Sequence, residues 1–211
     1  MRLNVPKDPA SRRGSCALIA IKERSRCKTR LAGVLAPEAR MELVRVMLSS
    51  VLHAAQTAQT VHSVLIISPE RDTLPANIPV LADTGESLNS ALMQAHRVVR
   101  EFGCHEIVVL PADLPEITPA DIDELVHAAR IGGCAIAPDA AGIGTNALCL
   151  TSPVQFQFQF GPDSRNLHLR EAQRLGLNPR VVQRPGLELD VDTPADLELL
   201  EGQPWLTRLR A

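Results

Sequence analysis

Short unbroken apolar runs alternate along this chain with longer stretches in which apolar positions return every three or four residues. Residues 16–21 (CALIAI), 64–67 (VLII) and 107–110 (IVVL) are continuously apolar, the pattern of strands buried on both faces. Between them, residues 37–57 place Met41, Val44, Met47, Leu48, Val51, Leu52 and Ala55 at helical spacing, with Pro37 suited to a first turn. Residues 87–102 do the same with Leu88, Leu92, Ala95 and Val99. Thr118-Pro119 and Thr193-Pro194 each read as an N-cap followed by a first-turn proline, and residues 164–175 as another helix. Weaker strands are expected at 78–82, where Pro79 points to an edge or a strand start, and at 134–137, 146–150 and 181–182. Residues 154–160 (VQFQFQF) alternate strictly, which predicts a half-buried strand with three Phe on one face. It would cover the core at a sheet edge or, on a sharper reading, join two copies as a homodimer. Strands separated by helices predict one α/β domain with a mostly parallel sheet. Residues 1–14 read as a leader and 15–211 as the domain.

Composition narrows the picture. The 211 residues are 45% hydrophobic and 22% charged, enough for a sizeable core and unlike a disordered chain. A net charge of −2 and 2% aromatics argue against a nucleic-acid partner, which needs a basic surface or stacking rings. No apolar run is long enough for a membrane span. Five widely spaced cysteines without CxxC or Cys/His metal spacing predict reduced, mostly buried thiols and a cytoplasmic setting.

In an open α/β sheet, ligands bind beyond the carboxyl ends of the strands. The first strand is followed by Lys22-Glu-Arg-Ser-Arg-Cys-Lys-Thr-Arg30, basic enough to grip a polyphosphate or to be a solvated turn. No GxGxxG or GxxxxGK[ST] loop accompanies it. Asp113, in Leu110-Pro-Ala-Asp-Leu-Pro115, follows a buried strand between two prolines and could hold a divalent cation or cap a turn. Asp190 and Asp192 lie two apart; in an extended segment they share a side and need a cation between them. Asp192 has a rival role in bracing the helix start, and Asp196 suits that helix's dipole. Gly142-Ile-Gly-Thr-Asn146 and Gly161-Pro-Asp-Ser164 are small, polar approaches for a ligand, the second at a helix start suited to phosphate. Asp83 and Asn89 could read a base edge. His53, His96 and His127 fall in helical patterns and read as surface residues; His168, one turn after Ser164, could face the same phosphate site. No triad or G-x-S-x-G motif appears.

Together these segments resemble the CofC family, guanylyltransferases of deazaflavin coenzyme F-420 biosynthesis and relatives of the MobA-like nucleotidyltransferases. The matching pieces are Lys22 with Lys28-Thr-Arg-Leu31, Gly85 with Leu88-Asn-Ser-Ala-Leu92, and the segments 110–115, 144–148, 160–164 with His168, and 190–197. The resemblance implies the MobA-like nucleotide-diphospho-sugar transferase fold, an α/β/α sandwich with a mostly parallel, Rossmann-like sheet. It also implies a reaction in which a three-carbon phospho-acid (3-phospho-D-glycerate, 2-phospho-L-lactate or phosphoenolpyruvate) attacks GTP and releases diphosphate. Lys28, Arg30 and Asp113 would be catalytic, with Lys22 near the triphosphate. Asp113, Asp190 and Asp192 would hold Mg²⁺, and Leu88-Asn89 would contact guanosine. Thr145, Gly161 and Ser164 would bind the acid, with His168 and Arg165 alongside. A labile product would make hand-off to the next enzyme useful. Arg165 stands where many relatives carry an aromatic residue, and Ala140 where many carry Arg. These departures point to a differently shaped acid, such as 3-phospho-D-glycerate. Competing readings are a MobA-like transferase with a pterin or sugar-phosphate acceptor, a non-catalytic nucleotide binder, and a glycosyltransferase using Asp190-Val-Asp192.

Overall fold

The computed structural model describes residues 15–21, 28–83, 87–151 and 154–209. The leader, Lys22, Cys27 and Gly85 lie outside them. The apolar runs form a seven-stranded sheet in the order β3-β2-β1-β4-β6-β5-β7. Its strands are β1 (Ser15–Ala20), β2 (Val61–Ser68), β3 (Val80–Ala82), β4 (Glu106–Pro111), β5 (Cys134–Pro138), β6 (Thr145–Leu150) and β7 (Arg180–Val181). β1 is parallel to both β2 and β4, β2 to β3, and β5 to β7, whereas β6 runs antiparallel to β4 and β5. That reversal matters for function. It brings the amino end of β6, with Gly144–Asn146, to the carboxyl ends of β1 and β4, where ligands of such sheets bind.

Helices cover both faces. α1 (Pro37–Thr57) and α3 (Pro119–Gly132) pack on Ala17, Ile19, Ile66, Val108 and Leu110. α2 (Leu88–Glu101) and α4 (Ser164–Arg174) pack on Cys16, Leu18, Leu65, Ile107 and Val109. Alternation of side chains along each strand divides these residues between two cores, so the α/β/α sandwich expected from the sequence is what forms. Short helices α5 (Pro185–Glu188), α6 (Pro194–Glu198) and α7 (Pro204–Leu209) close the carboxyl end, with Leu197, Leu200 and Leu206 against Leu43 and Met47 of α1. Both Thr-Pro starts are capping boxes: Thr118 pairs with Asp121 and Thr193 with Asp196. Among the described residues, no helix is long and apolar enough to cross a membrane. Cys16, Cys104, Cys134 and Cys149 are buried free thiols.

Two expectations fail. Residues 154–160 form no strand. Phe156 and Phe158 are buried as the alternation predicts, but side chains, and not a neighbouring strand, take up the backbone donors. Gln157 N–H goes to Glu171, Gln159 N–H to His168 and Phe160 N–H to Asn89. His96 is buried, 5% exposed, edge-on to Phe158, because the face of α2 that carries it is the one this segment covers.

Candidate active site

A cavity of about 610 Å³ opens at the carboxyl ends of β1 and β4, within the range of small-molecule sites. Lys28 enters it from a left-handed backbone conformation (φ 55°), immediately before a 3₁₀ turn at Thr29–Leu31. Among the described residues, the other non-glycine residue with positive φ is Asp163, which precedes Ser164 at the start of α4. Both strained residues therefore flank the cavity, as strain at functional sites often does.

The acidic wall comes from two loops. Asp113 follows β4; Asp190 and Asp192 follow α5, and buried Val191 between them turns both carboxylates toward the cavity. Val191 N–H donates to the Asp113 carbonyl at 3.3 Å and ties the loops together. Lys28 Nζ donates to Asp113 Oδ2 at 2.7 Å and to Asp192 Oδ1 at 2.8 Å. Burial works against its charge, but the two carboxylates outweigh that and hold its pKa above the ordinary lysine value. Asp190 is displaced the other way: burial first, then the charge of Asp113, raises its pKa, although Asn146 donates to it at 3.3 Å. Asp192 leaves the bracing of α6 to Asp196, whose carboxylate accepts the N–H groups of Asp192 and Thr193.

Asp113 Oδ1 is buried without a hydrogen-bond partner. With Asp190 burdened by a like charge, this corner is short of positive charge, and a divalent cation fits it. No three acidic, His or Cys side chains among the described residues are already gathered as a metal-ligand group; Lys28 occupies the space between Asp113 and Asp192.

Beside the acidic wall the lining is mostly small and polar. Gly144, Thr145 and Asn146 come from the start of β6, and Phe160, Gly161 and Ser164 from the approach to α4. Asp139 accepts Ile143 N–H at 2.9 Å and shapes the turn before β6. Arg30, Asp83 and Leu88 also line the cavity. Lys28, Arg30, Leu88, Asp113, Thr145, Gly161, Ser164, Asp190 and Asp192 are thus brought together as expected.

Three expected contacts lie elsewhere. The Asn89 amide is consumed by Phe160, donating to its carbonyl at 3.1 Å and accepting its N–H at 2.8 Å, so it holds the cavity rim and is not turned to a base. Arg165 Nη1 donates to the Gly142 carbonyl at 2.8 Å, bracing that turn from outside the cavity. His168 is fully buried behind Thr145. Asn146, which the sequence marks only as part of the 144–148 motif, has a supporting role. It donates to the Leu187 and Glu188 carbonyls at 3.0 Å each and so anchors the segment leading to Asp190. An amide within an otherwise apolar strand was its only signal.

The same segment is docked by Arg184, whose Nε donates to Asp121 Oδ1 at 2.8 Å, and by Gly186. A Cβ on Gly186 would lie 2.2 Å from Asp121 Oδ2 and 2.8 Å from the Glu116 carbonyl. Gly186→Ala should therefore cost about 1–3 kcal/mol by overpacking and displace Asp190; urea denaturation and activity measure the two effects.

Acid sensitivity is also built in. Burial lowers His96 and His168 to about 4, with Arg100 adding to the effect at His96. These rings titrate near 6.5 when unfolded, so between the two values the unfolded chain binds more protons and stability falls as pH falls. The expected slope is up to about 1.4 kcal/mol per pH unit per ring, read as a lower urea midpoint at pH 5 than at pH 7. His96→Phe should flatten it.

The sequence family described as guanylyl transferase CofC like matches residues 15–203. The phosphoenolpyruvate guanylyltransferase of Rubrobacter xylanophilus is 40% identical over 190 residues, covering 88% of this chain and 92% of its own. That of Sphaerobacter thermophilus is 37% identical with the same coverage. Among solved structures, a candidate nucleotide-diphospho-sugar transferase from Desulfovibrio desulfuricans superposes with a TM-score of 0.75 at 18% identity, covering 92% of this chain and 93% of that one. A 4-diphosphocytidyl-2C-methyl-D-erythritol synthase gives 0.63 at 13%, covering 89% and 96%. These likenesses show the nucleotidyltransferase fold, and the family match together with the close relatives shows that the chain belongs to the CofC-like guanylyltransferases.

Proposed function

We propose that this protein transfers the guanylyl group of GTP to the phosphate of a three-carbon phospho-acid in coenzyme F-420 biosynthesis. An oxygen of the acid's phosphate attacks the α-phosphorus, its bond to the β-phosphate bridge breaks, and diphosphate leaves. The observation that carries this reading is that one cavity is lined both by Lys28, Arg30 and three aspartates and by Thr145, Gly161 and Ser164. Such a transfer is governed by positioning and charge neutralisation, with no covalent nucleophile required.

Lys28 and Arg30 offer positive charge to the triphosphate. Asp113, Asp190 and Asp192 would hold Mg²⁺, which when bound neutralises charge on the reacting phosphates. Leu88 gives the nucleoside an apolar contact. Thr145, Ser164 and the open backbone at Gly161 receive the acid. A cytoplasmic setting fits the free cysteines.

Phosphoenolpyruvate stands first among the acids, since the relatives carry its name. The departures at Ala140 and Arg165 from the family pattern keep 3-phospho-D-glycerate as a second reading, acting through the turn that Arg165 braces and not by lining the cavity. Diphosphate release from GTP and Mg²⁺, with each acid supplied separately and the next enzyme present as a trap, tests both. Preference for phosphoenolpyruvate supports the first, preference for 3-phospho-D-glycerate the second, and release with none of the three acids overturns the reaction itself.

A further inference from the structure

His168 is 0% exposed and does not line the cavity, yet it touches the wall assigned to the acid. Its ring is caged, with Phe160 edge-on at 4.7 Å and Phe156 tilted at 5.8 Å between centroids. One ring nitrogen, Nε2, lies 2.9 Å from the backbone nitrogen of Gln159; the other, Nδ1, lies 3.0 Å from Thr145 Oγ1. Gln159 has little freedom to turn away, because Asn89 clamps both the N–H and the carbonyl of the next residue, Phe160.

A backbone N–H only donates, so Nε2 accepts and carries no proton. A neutral imidazole has one N–H, which is then on Nδ1. The charged ring would set N–H against N–H at Gln159, and burial independently keeps the ring neutral, with a pKa of about 4 against the opposing pull of Glu171. Nδ1–H therefore donates to Thr145 Oγ1. The Thr145 hydroxyl accepts that bond and still has its own proton to place. No acceptor for it is found among the described residues, and Thr145 faces the cavity.

We infer that His168 is a positioning residue that locks the Thr145 hydroxyl as a hydrogen-bond donor into the cavity, matched to an anionic oxygen of the phospho-acid. The inference rests on the reaction proposed above. Anionic carboxylate and phosphate oxygens only accept, so a hydroxyl that turned its lone pairs toward them would make no hydrogen bond, whereas this one is set to donate. The same geometry excludes His168 as the base that activates Thr145, since its one basic nitrogen is capped by Gln159.

Nitrogen-15 shifts of the His168 ring in the full-length protein at neutral pH, assigned by their loss in His168→Phe or, should that variant not fold, by sequential connectivity, give the first test. A protonated Nδ1 with an unprotonated Nε2 is expected; the opposite tautomer or an imidazolium overturns the proposal. Kinetics give the second. Thr145→Val should raise KM for the acid roughly 10- to 100-fold, the worth of a hydrogen bond to a charged group, with KM for GTP little changed. His168→Phe should raise the same KM and add little when combined with Thr145→Val, because both remove one donor. Additive losses, or equal losses for GTP and the acid, would mean that His168 only supports the fold. Wild-type protein that turns over none of the acids would overturn the reaction, while the tautomer is read on the free protein regardless.

Discussion

Asp113→Asn should lower guanylyl transfer by about 10³-fold while leaving the fold intact, the usual scale for removing one preorganised charge at a reacting phosphate. The substitution is nearly isosteric, and Asp113 sits in a loop held by its own backbone, whose carbonyl accepts Val191 N–H. What disappears is charge. Oδ2 is the 2.7 Å partner of Lys28, and Oδ1 is the buried atom with no hydrogen-bond partner, the one the proposed cation would take. Diphosphate release with saturating GTP and acid measures the loss, and thermal unfolding checks the fold. Activity within a few-fold of wild type would remove Asp113 from the reaction and with it the assignment of the acidic wall.

Lys28→Met should be comparably damaging to catalysis but opposite in its response to metal. Loss of a cation at the triphosphate is expected to cost about 10²–10³-fold in kcat/KM for GTP. The same change leaves Asp113 and Asp192 facing one another without the ammonium that lies 2.7 and 2.8 Å from them. Without that ammonium the two carboxylates repel more strongly and bind a divalent cation more readily. Mg²⁺ in the absence of nucleotide should therefore raise the melting temperature of the variant more than that of the wild type, by mass action on the folded state. Equal shifts in the two proteins would show that Lys28 and the metal do not share this space.

The two effects separate what each charge does. On these predictions Asp113 serves one role, in the acidic wall, whereas Lys28 has two. One is with the carboxylates, as seen in its contacts; the other is with the phosphates, as proposed from its place in the cavity. Its left-handed backbone, φ 55°, is consistent with a residue held for function at some local cost.

Much of this was written along the chain. Runs such as IVVL at 107–110 have the length and β-branched content of buried strands, and the Thr-Pro starts at 118 and 193 carry their own caps, so local chemistry sufficed to mark them. The Asp190–Asp192 pair also declared itself, because a two-residue period puts both carboxylates on one side of an extended segment. The acceptor-side glycines and Ser164 were legible as a helix approach. Sequence order alone did not decide how strands paired. The reversal of β6, on which the position of Thr145 depends, comes from its fit between β4 and β5. Nor could alternation in residues 154–160 reveal that their N–H groups would be satisfied by Asn89, His168 and Glu171 from two different helices. A residue type specifies which bonds a side chain can make; which of them it makes depends on partners brought from distant parts of the chain. That is why Asn89, His168 and Arg165, each a reasonable ligand by its chemistry, became supports of the site, while Lys28, Asp113 and Asp192 met across 164 positions of sequence at most to form its charged centre.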